Sequence, residues 1–260
     1  MPRLSPSMRH LAKIREAQAI RAAVNSKVAA ARPETGPMAT AYDLLRQQLG
    51  EHMRELKAIE STEGKITRKA QIIGDYDDHI DTVILTAETE GKGLQDEVFV
   101  RLMIWHFDVA SKDVDHYPRA FELAEHVLRF GLTLPDNFRR SPAALIRELV
   151  ADAALDALAI AAPDDLDPFP VEVLQRVEEL TALFDIVDIV SAKLNKAMGL
   201  LFMRRAKAIE GGETDGPAGG LRAAREEALK RMKRALELDK KIGVKKDIEA
   251  VERALSKSDA

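Results

Sequence analysis

QDEVFVRLMIWHFD, residues 95–108, is the stretch on which the fold turns. Its apolar residues Val98, Leu102 and Trp105 recur at steps of four and three, the period of one helical face, so the segment predicts a helix over Gln95–Ala110. The same rhythm continues in YPRAFELAEHVLRFGLTLP (117–135), where Phe121, Ala124 and Leu128 line a face and Gly131 stands where a helix ends. It continues again in FRRSPAALIRELVADAAL (138–155), with Ser141 as N-cap and Pro142 as first helical residue of a helix reaching Ile160. Leu145, Leu149, Ala153 and Leu158 are its apolar positions. Helices follow over Val171–Phe184 and Asp188–Ile209, after a connection punctuated by Pro163, Pro168 and Pro170. Period-two alternation is not found, and the expected fold class is all-α.

Outward from this body, Ser7–Ala31 predicts a basic helix with an imperfect stripe of Leu11, Ile14, Ala17, Val24 and Val28. RPETGPMAT (32–40) breaks it. Leu45, Leu49, His52, Leu56, Ile59, Glu63, Ile66, Ala70 and Ile73 then fall at alternating steps of four and three, a coiled-coil-like seam. Continuous from Tyr42 to Ile73, such a helix would be roughly 50 Å long, an element that calls for a partner, found by self-association into a homo-oligomer or by packing back on its own core. His52, Glu63 and Gly64 interrupt the seam. On the other side, GGETDGPAGG (211–220) is a linker, and Leu221–Leu238 with Val244–Leu255 predict a helical hairpin turning at Lys241, Ile242 and Gly243. The expected organisation is a basic N-terminal helix (1–32), a linker and long coiled-coil-like helix (33–74), a core of helical hairpins (75–210), a Gly-rich linker (211–220) and a basic C-terminal hairpin (221–260).

The absence of cysteine excludes disulfides, thiolate metal sites and cysteine nucleophiles. No apolar run approaches the roughly 18 residues that span a bilayer, and no secretory h-region opens the chain, so the expectation is a cytoplasmic protein with no membrane partner. The net charge of −4 conceals an asymmetry. Residues 1–32 hold seven Lys/Arg against one acid, 75–220 hold 14 against 28, and 221–260 hold 12 against eight. Basic ends on an acidic body fit a nucleic-acid partner, and they fit solvated helix faces as well.

Between residues 95 and 155 lies an order of landmarks: Gln95 followed by Asp96 and Glu97; Trp105 with Asp108 three residues on; Gly131, Leu132 and Pro135; Arg139 and Arg140 leading into Ser141; and Glu148 in an Ala-rich helix. In this the chain resembles the GpM-type small terminase subunits of tailed bacteriophages and prophages. The C-terminal GVKKDIEAVERAL is similar to that family's closing helix, while the turn 109–117 and the Gly-rich linker are longer than the family pattern. The resemblance implies a subunit that binds double-stranded phage DNA at the packaging site, in the host cytoplasm, as a homo-oligomer. It also implies a partner, the ATPase large subunit, and no GxxxxGKS/T phosphate loop exists here to supply ATP turnover from this chain. Charge then nominates Arg9, Lys13, Arg15, Arg21 and Lys27 as phosphate contacts, with the long helix assembling protomers and the hairpin docking the large subunit.

The family is also labelled the endonuclease subunit of terminase, which raises a second, catalytic reading. GDYDDHID places Asp75, Asp77, Asp78, His79 and Asp81 close together, and on a helix Asp77 and Asp81 share a face. Asp77 and Asp81 are the metal candidates, with Mg²⁺ as the ion if nuclease activity is intrinsic; otherwise no cofactor is expected. Glu90 and Lys92 follow at a spacing faintly like PD-(D/E)xK nucleases, a pattern that needs β-strands. The plainer account is an acidic first turn favoured by the helix dipole. For Trp105 it is a core anchor, and for Asp108 and Glu148 it is helix capping or pairing with Arg139 or Arg140. A third reading is a helical interaction scaffold that binds neither DNA nor metal.

Overall fold

A computed structural model describes residues 29–32, 34–162, 165–212 and 220–258. The fold is all-α. Among the described residues the β-pairing is a single isolated parallel bridge between Ala30 and Leu94. The chain divides into two compact units, residues 1–143 and 144–260.

The first unit contains α1 (Pro37–Ala58), α2 (Thr62–Ile72), a 3-10 turn (Ile73–Tyr76), α3 (Asp77–Glu90), α4 (Glu97–Ala110), a second 3-10 turn (Val114–His116) and α5 (Tyr117–Phe130). Its centre is α4, in which every residue except Glu97 and Asp108 is buried. A helix this rich in apolar residues on every side has little solvent face to offer, so its neighbours enclose it. α1, α2 and α5 all pack against it. Trp105 is the core residue its spacing predicts. α5 is amphipathic, with Phe121, Leu123, Ala124 and Val127 inward and Glu122, Glu125 and Arg129 outward. Gly131 ends it in the left-handed conformation (φ 66°), its amide donating to the Val127 carbonyl.

The long seam is two helices. α1 stops at Ala58, Ile59 is extended (φ −81°, ψ 127°), and the chain restarts with Ser61, whose hydroxyl accepts the Gly64 amide at 3.1 Å. A β-carbon on Gly64 would lie 2.7 Å from that hydroxyl, so the glycine makes room for the cap. Ser61 offers the backbone a local partner that an uninterrupted helix does not, and the restart lets α2 fold back against α4. Of the seam residues, Leu49, Leu56 and Ile73 are buried within the unit, so much of the apolar period is consumed by its own core. Most of the predicted N-terminal helix lies outside the described residues; of its end, Ala29–Arg32 are not helical.

Across the boundary runs α6 (Pro142–Ile160), beginning at the predicted proline. The second unit continues with α7 (Val171–Leu180), α8 (Asp188–Glu210), α9 (Gly220–Leu238) and α10 (Lys245–Ser258). α8 and α9 lie side by side along much of their length. A β-carbon on Gly199 would meet the Met232 side chain at 2.6 Å and the Ala228 carbonyl at 3.3 Å, so this glycine permits the close approach. Ala228, Met232, Val244, Ile248 and Val251 form a buried cluster against Phe202 and Met203, which makes the predicted hairpin part of this unit's core. Buried Arg147 spends its guanidinium on the hydroxyls of Thr181 (2.8 Å) and Ser191 (2.9 Å).

Candidate functional site around Asp96

The two residues before α4 carry the most constrained polar chemistry in the first unit. Asp96 is the N-cap of α4, its Oδ1 accepting the Phe99 amide at 2.9 Å, and it is fully buried. A buried carboxylate needs compensation. Tyr42 on α1 donates its hydroxyl to the same oxygen at 3.1 Å and accepts the Glu97 amide at 2.9 Å, satisfying a second free N–H at the helix start. On the other oxygen, Oδ2, His79 Nε2 of α3 donates at 2.9 Å and Arg32 adds a short charge-assisted contact. An ionised carboxylate accepts only, which places the proton of His79 on Nε2.

Four donors therefore converge on Asp96, about the number its two oxygens hold. Burial by itself would raise this carboxyl; the hydrogen bond and charge of His79, the charge of Arg32 and the Phe99 amide outweigh burial and hold it below the usual carboxylate range. Burial first, and Asp96 second, push the Tyr42 phenol up to about 12, so it remains a donor at neutral pH. With its lone pairs occupied, Asp96 has little left for a metal or a substrate proton. The chemistry of this node is anchorage.

What it anchors is the chain leading out of residues 1–28. Ala30 donates to the Gly93 carbonyl (3.1 Å) and accepts from the Gln95 amide (2.8 Å). Arg32 donates through Nε to the Gln95 carbonyl (3.2 Å), and its guanidinium carbon stands 4.0 Å from the Tyr42 ring centroid. Arg9, Lys13, Arg15, Arg21 and Lys27 themselves lie outside the described residues.

The acidic cluster is dispersed rather than gathered. Asp77 and Asp81 do share an exposed face of α3, and Arg119 of α5 occupies it, 2.5 Å from Asp81, 3.9 Å from Asp77 and 2.6 Å from Glu122. Asp75 faces His52 at 4.0 Å, and His79 is turned to Asp96. Asp77 and Asp78 stand in the first turn of α3. Among the described residues no group of three or more histidines and acids is placed to hold a metal ion.

The other landmarks find structural partners. Asp108 pairs with Lys69 of α2 at 2.5 Å, and Lys193 of α8 reaches Glu148 at 3.2 Å. Burial raises the Asp108 carboxyl despite the lysine beside it. The family resemblance picked out Asp96 and the acidic run picked out His79, but neither picked out Arg32 or Tyr42. The one signal within reach was Gln95-Asp96 directly before a largely apolar helix, an N-cap whose carboxylate would be buried and would need donors from elsewhere.

Among the described residues no helix is long and apolar enough to cross a membrane. The sequence profile of the phage small terminase subunit family matches residues 46–189, from α1 into α8. The chain is 33% identical over 253 residues to the protein named "Terminase, endonuclease subunit" of Escherichia phage P2, an alignment that covers 96% of this chain and 85% of that one. No solved structure matches the chain.

Proposed function

From the premise that this chain belongs to the phage small terminase subunit family, with a role in phage DNA packaging, we propose that it grips duplex phage DNA at the packaging site and delivers it to an ATP-hydrolysing large subunit. The observation that carries the DNA half is the charge of residues 1–32, seven Lys/Arg against one acid, on a segment whose root is locked to the body through Arg32 and Asp96. A basic arm on a fixed root reaches phosphates with less loss of orientational freedom than a free tail. Self-association multiplies such arms. The large subunit follows from the missing phosphate loop, because translocation needs ATP turnover that this chain has no motif to perform.

The test is a salt titration of duplex binding by the full chain. If Arg9, Lys13, Arg15, Arg21 and Lys27 each neutralise one phosphate, log K falls against log salt with a slope of about −4.5 per protomer from these residues. Changing all five to Gln removes that contribution. Binding and slope unchanged in this variant would overturn the assignment to the arm.

A nuclease reading has one support, the name of the P2 relative. It predicts nicking of duplex DNA by the purified chain with Mg²⁺ or Mn²⁺, abolished by Asp77→Ala with Asp81→Ala. With Arg119 already seated between these carboxylates, the packaging reading expects the same products, or none, from both proteins.

A further inference from the structure

Among the described residues, cations along α9 are ion-paired, whereas those at the tip of the hairpin are not. On the shaft, Arg231 holds Glu178 and Glu227, Lys230 also reaches Glu227, Lys233 meets Glu252 across the hairpin, and Arg234 meets Glu237. The turn reads DKKIGVKKD, residues 239–247. Its four lysines, Lys240, Lys241, Lys245 and Lys246, are exposed, and none has an ion-pair partner among the described residues.

The turn that carries them is built. Gly243 takes a left-handed conformation (φ 84°), the Lys241 amide donates to Asp239 Oδ1 (2.9 Å), and the Ile242 amide donates to the Asp239 carbonyl (3.2 Å). From α8, Lys196 Nζ donates to the Ile242 carbonyl at 2.9 Å, which pins the tip and adds a fifth positive charge beneath it. Both aspartates that flank the turn are half-buried while the lysines point outward, so the exposed face is cationic. Lys245 and Lys246 also open α10, the helix end at which the backbone dipole disfavours cations. Lys240 and Lys241 follow the C-terminus of α9, where the dipole favours cations, so it is Lys245 and Lys246 that the helix ends do not reward.

We propose that this turn is a second contact for the phosphate backbone of duplex DNA, separate from the N-terminal arm. It rests on the reading of the chain as a DNA-binding terminase subunit. Closely spaced, solvated lysines held on a fixed turn match a dense row of phosphates without reading bases, because an ammonium is a point charge with no bidentate geometry. An acidic protein surface is the other class of partner such a patch could meet; the pairing of the α9 cations and the exposure of all four lysines at one tip favour a polyanion that runs past the turn.

The experiment compares four full-length proteins binding one short duplex by fluorescence anisotropy across a salt series. They are the native chain; Lys240→Gln, Lys241→Gln, Lys245→Gln and Lys246→Gln together; the same four positions changed to Arg; and the five-residue Gln variant of the arm. The tip Gln variant is expected to lose about 3.6 from the magnitude of the salt slope, so that a fourfold rise in salt costs the native protein about 150-fold more affinity than it costs the variant. The Arg variant keeps the native slope. A tip variant with native affinity and slope, alongside an arm variant that has lost both, overturns the tip and leaves the DNA-binding reading intact. A native chain with no affinity for duplex at low ionic strength overturns both. Native DNA binding by the tip variant with lost binding to the large subunit assigns the turn to a protein partner and also overturns the proposal. Acetylation mapping of the native protein with and without duplex needs no variant: DNA protects these four lysines if the proposal holds, and unchanged reactivity refutes it.

Discussion

Both units carry ion pairs at their surfaces, but they differ in where charge is most tightly held and where it is left open, and the contrast separates what holds this protein together from what it has to offer a partner. In the first unit a carboxylate is taken out of water and given four donors, from residues scattered over the chain. In the second, charges stay at half-exposed surfaces as ion pairs, or stand without partners at the tip of the hairpin. Of the two buried cations described in it, Arg147 is met by neutral hydroxyls and Arg225 by the exposed carboxylate of Glu210. A buried, saturated network is expensive to break and has little chemistry left to give. An exposed unpaired patch contributes little to the fold and is free to bind.

The largest effect should come from the node. Asp96→Ala leaves Arg32, His79 and Tyr42 without their acceptor and removes the cap of α4, at about 3–5 kcal/mol. Trp105, the one tryptophan, sits in the core of the same unit, so its fluorescence during urea unfolding reads the loss. A change below about 1 kcal/mol would break the comparison, since the network would then be no more than surface pairing.

Next in size is the response to acid. His106 and His126 are buried, and burial lowers both to about 4; Arg119 and His116 reinforce this for His106, as Arg129 does for His126 against the opposing pull of Asp96. Neither ring nitrogen of His106 has a hydrogen-bond partner among the described residues. Their folded values lie below the unfolded one, so the unfolded chain binds more protons, and the stability present above about pH 6.5 falls as pH drops toward 4. Each histidine should account for about 1–3 kcal/mol of that loss. Asp96, also held low, adds to it at still lower pH, while Asp108, held high, works in the opposite direction. Replacing His106 and His126 by Leu should flatten the Trp105 profile between pH 6.5 and 4; an unchanged slope there would show that the histidines are not its source.

The smallest effect sharpens the other side of the contrast. Glu227→Gln removes the partner of Lys230 and one of the two acidic partners of Arg231 on the hairpin shaft, and should change stability, followed by circular dichroism, by less than about 1 kcal/mol and less still in high salt. A loss as large as that of Asp96→Ala would make the second unit as dependent on its ion pairs as the first is on its node.

Much of this molecule was legible as a string of residues, because the relevant physics is local. Apolar spacing within a few turns, Ser141-Pro142 at one helix start and Gly131 at a helix end act over five residues or fewer, and the helices of the body and the hairpin stand where those signals put them. The landmarks from Gln95 to Glu148 likewise carried the family. The long seam misled because its period did not register that Ser61 and Gly64 together make a better helix start than a helix interior. What only the tertiary structure decided is the company those residues keep. The donors to Asp96 come from 17, 54 and 64 residues away, and Lys69 finds Asp108 across 39. No periodicity encodes such pairings, because they are chosen when the helices pack and each buried charge must find its partners in the space left to it.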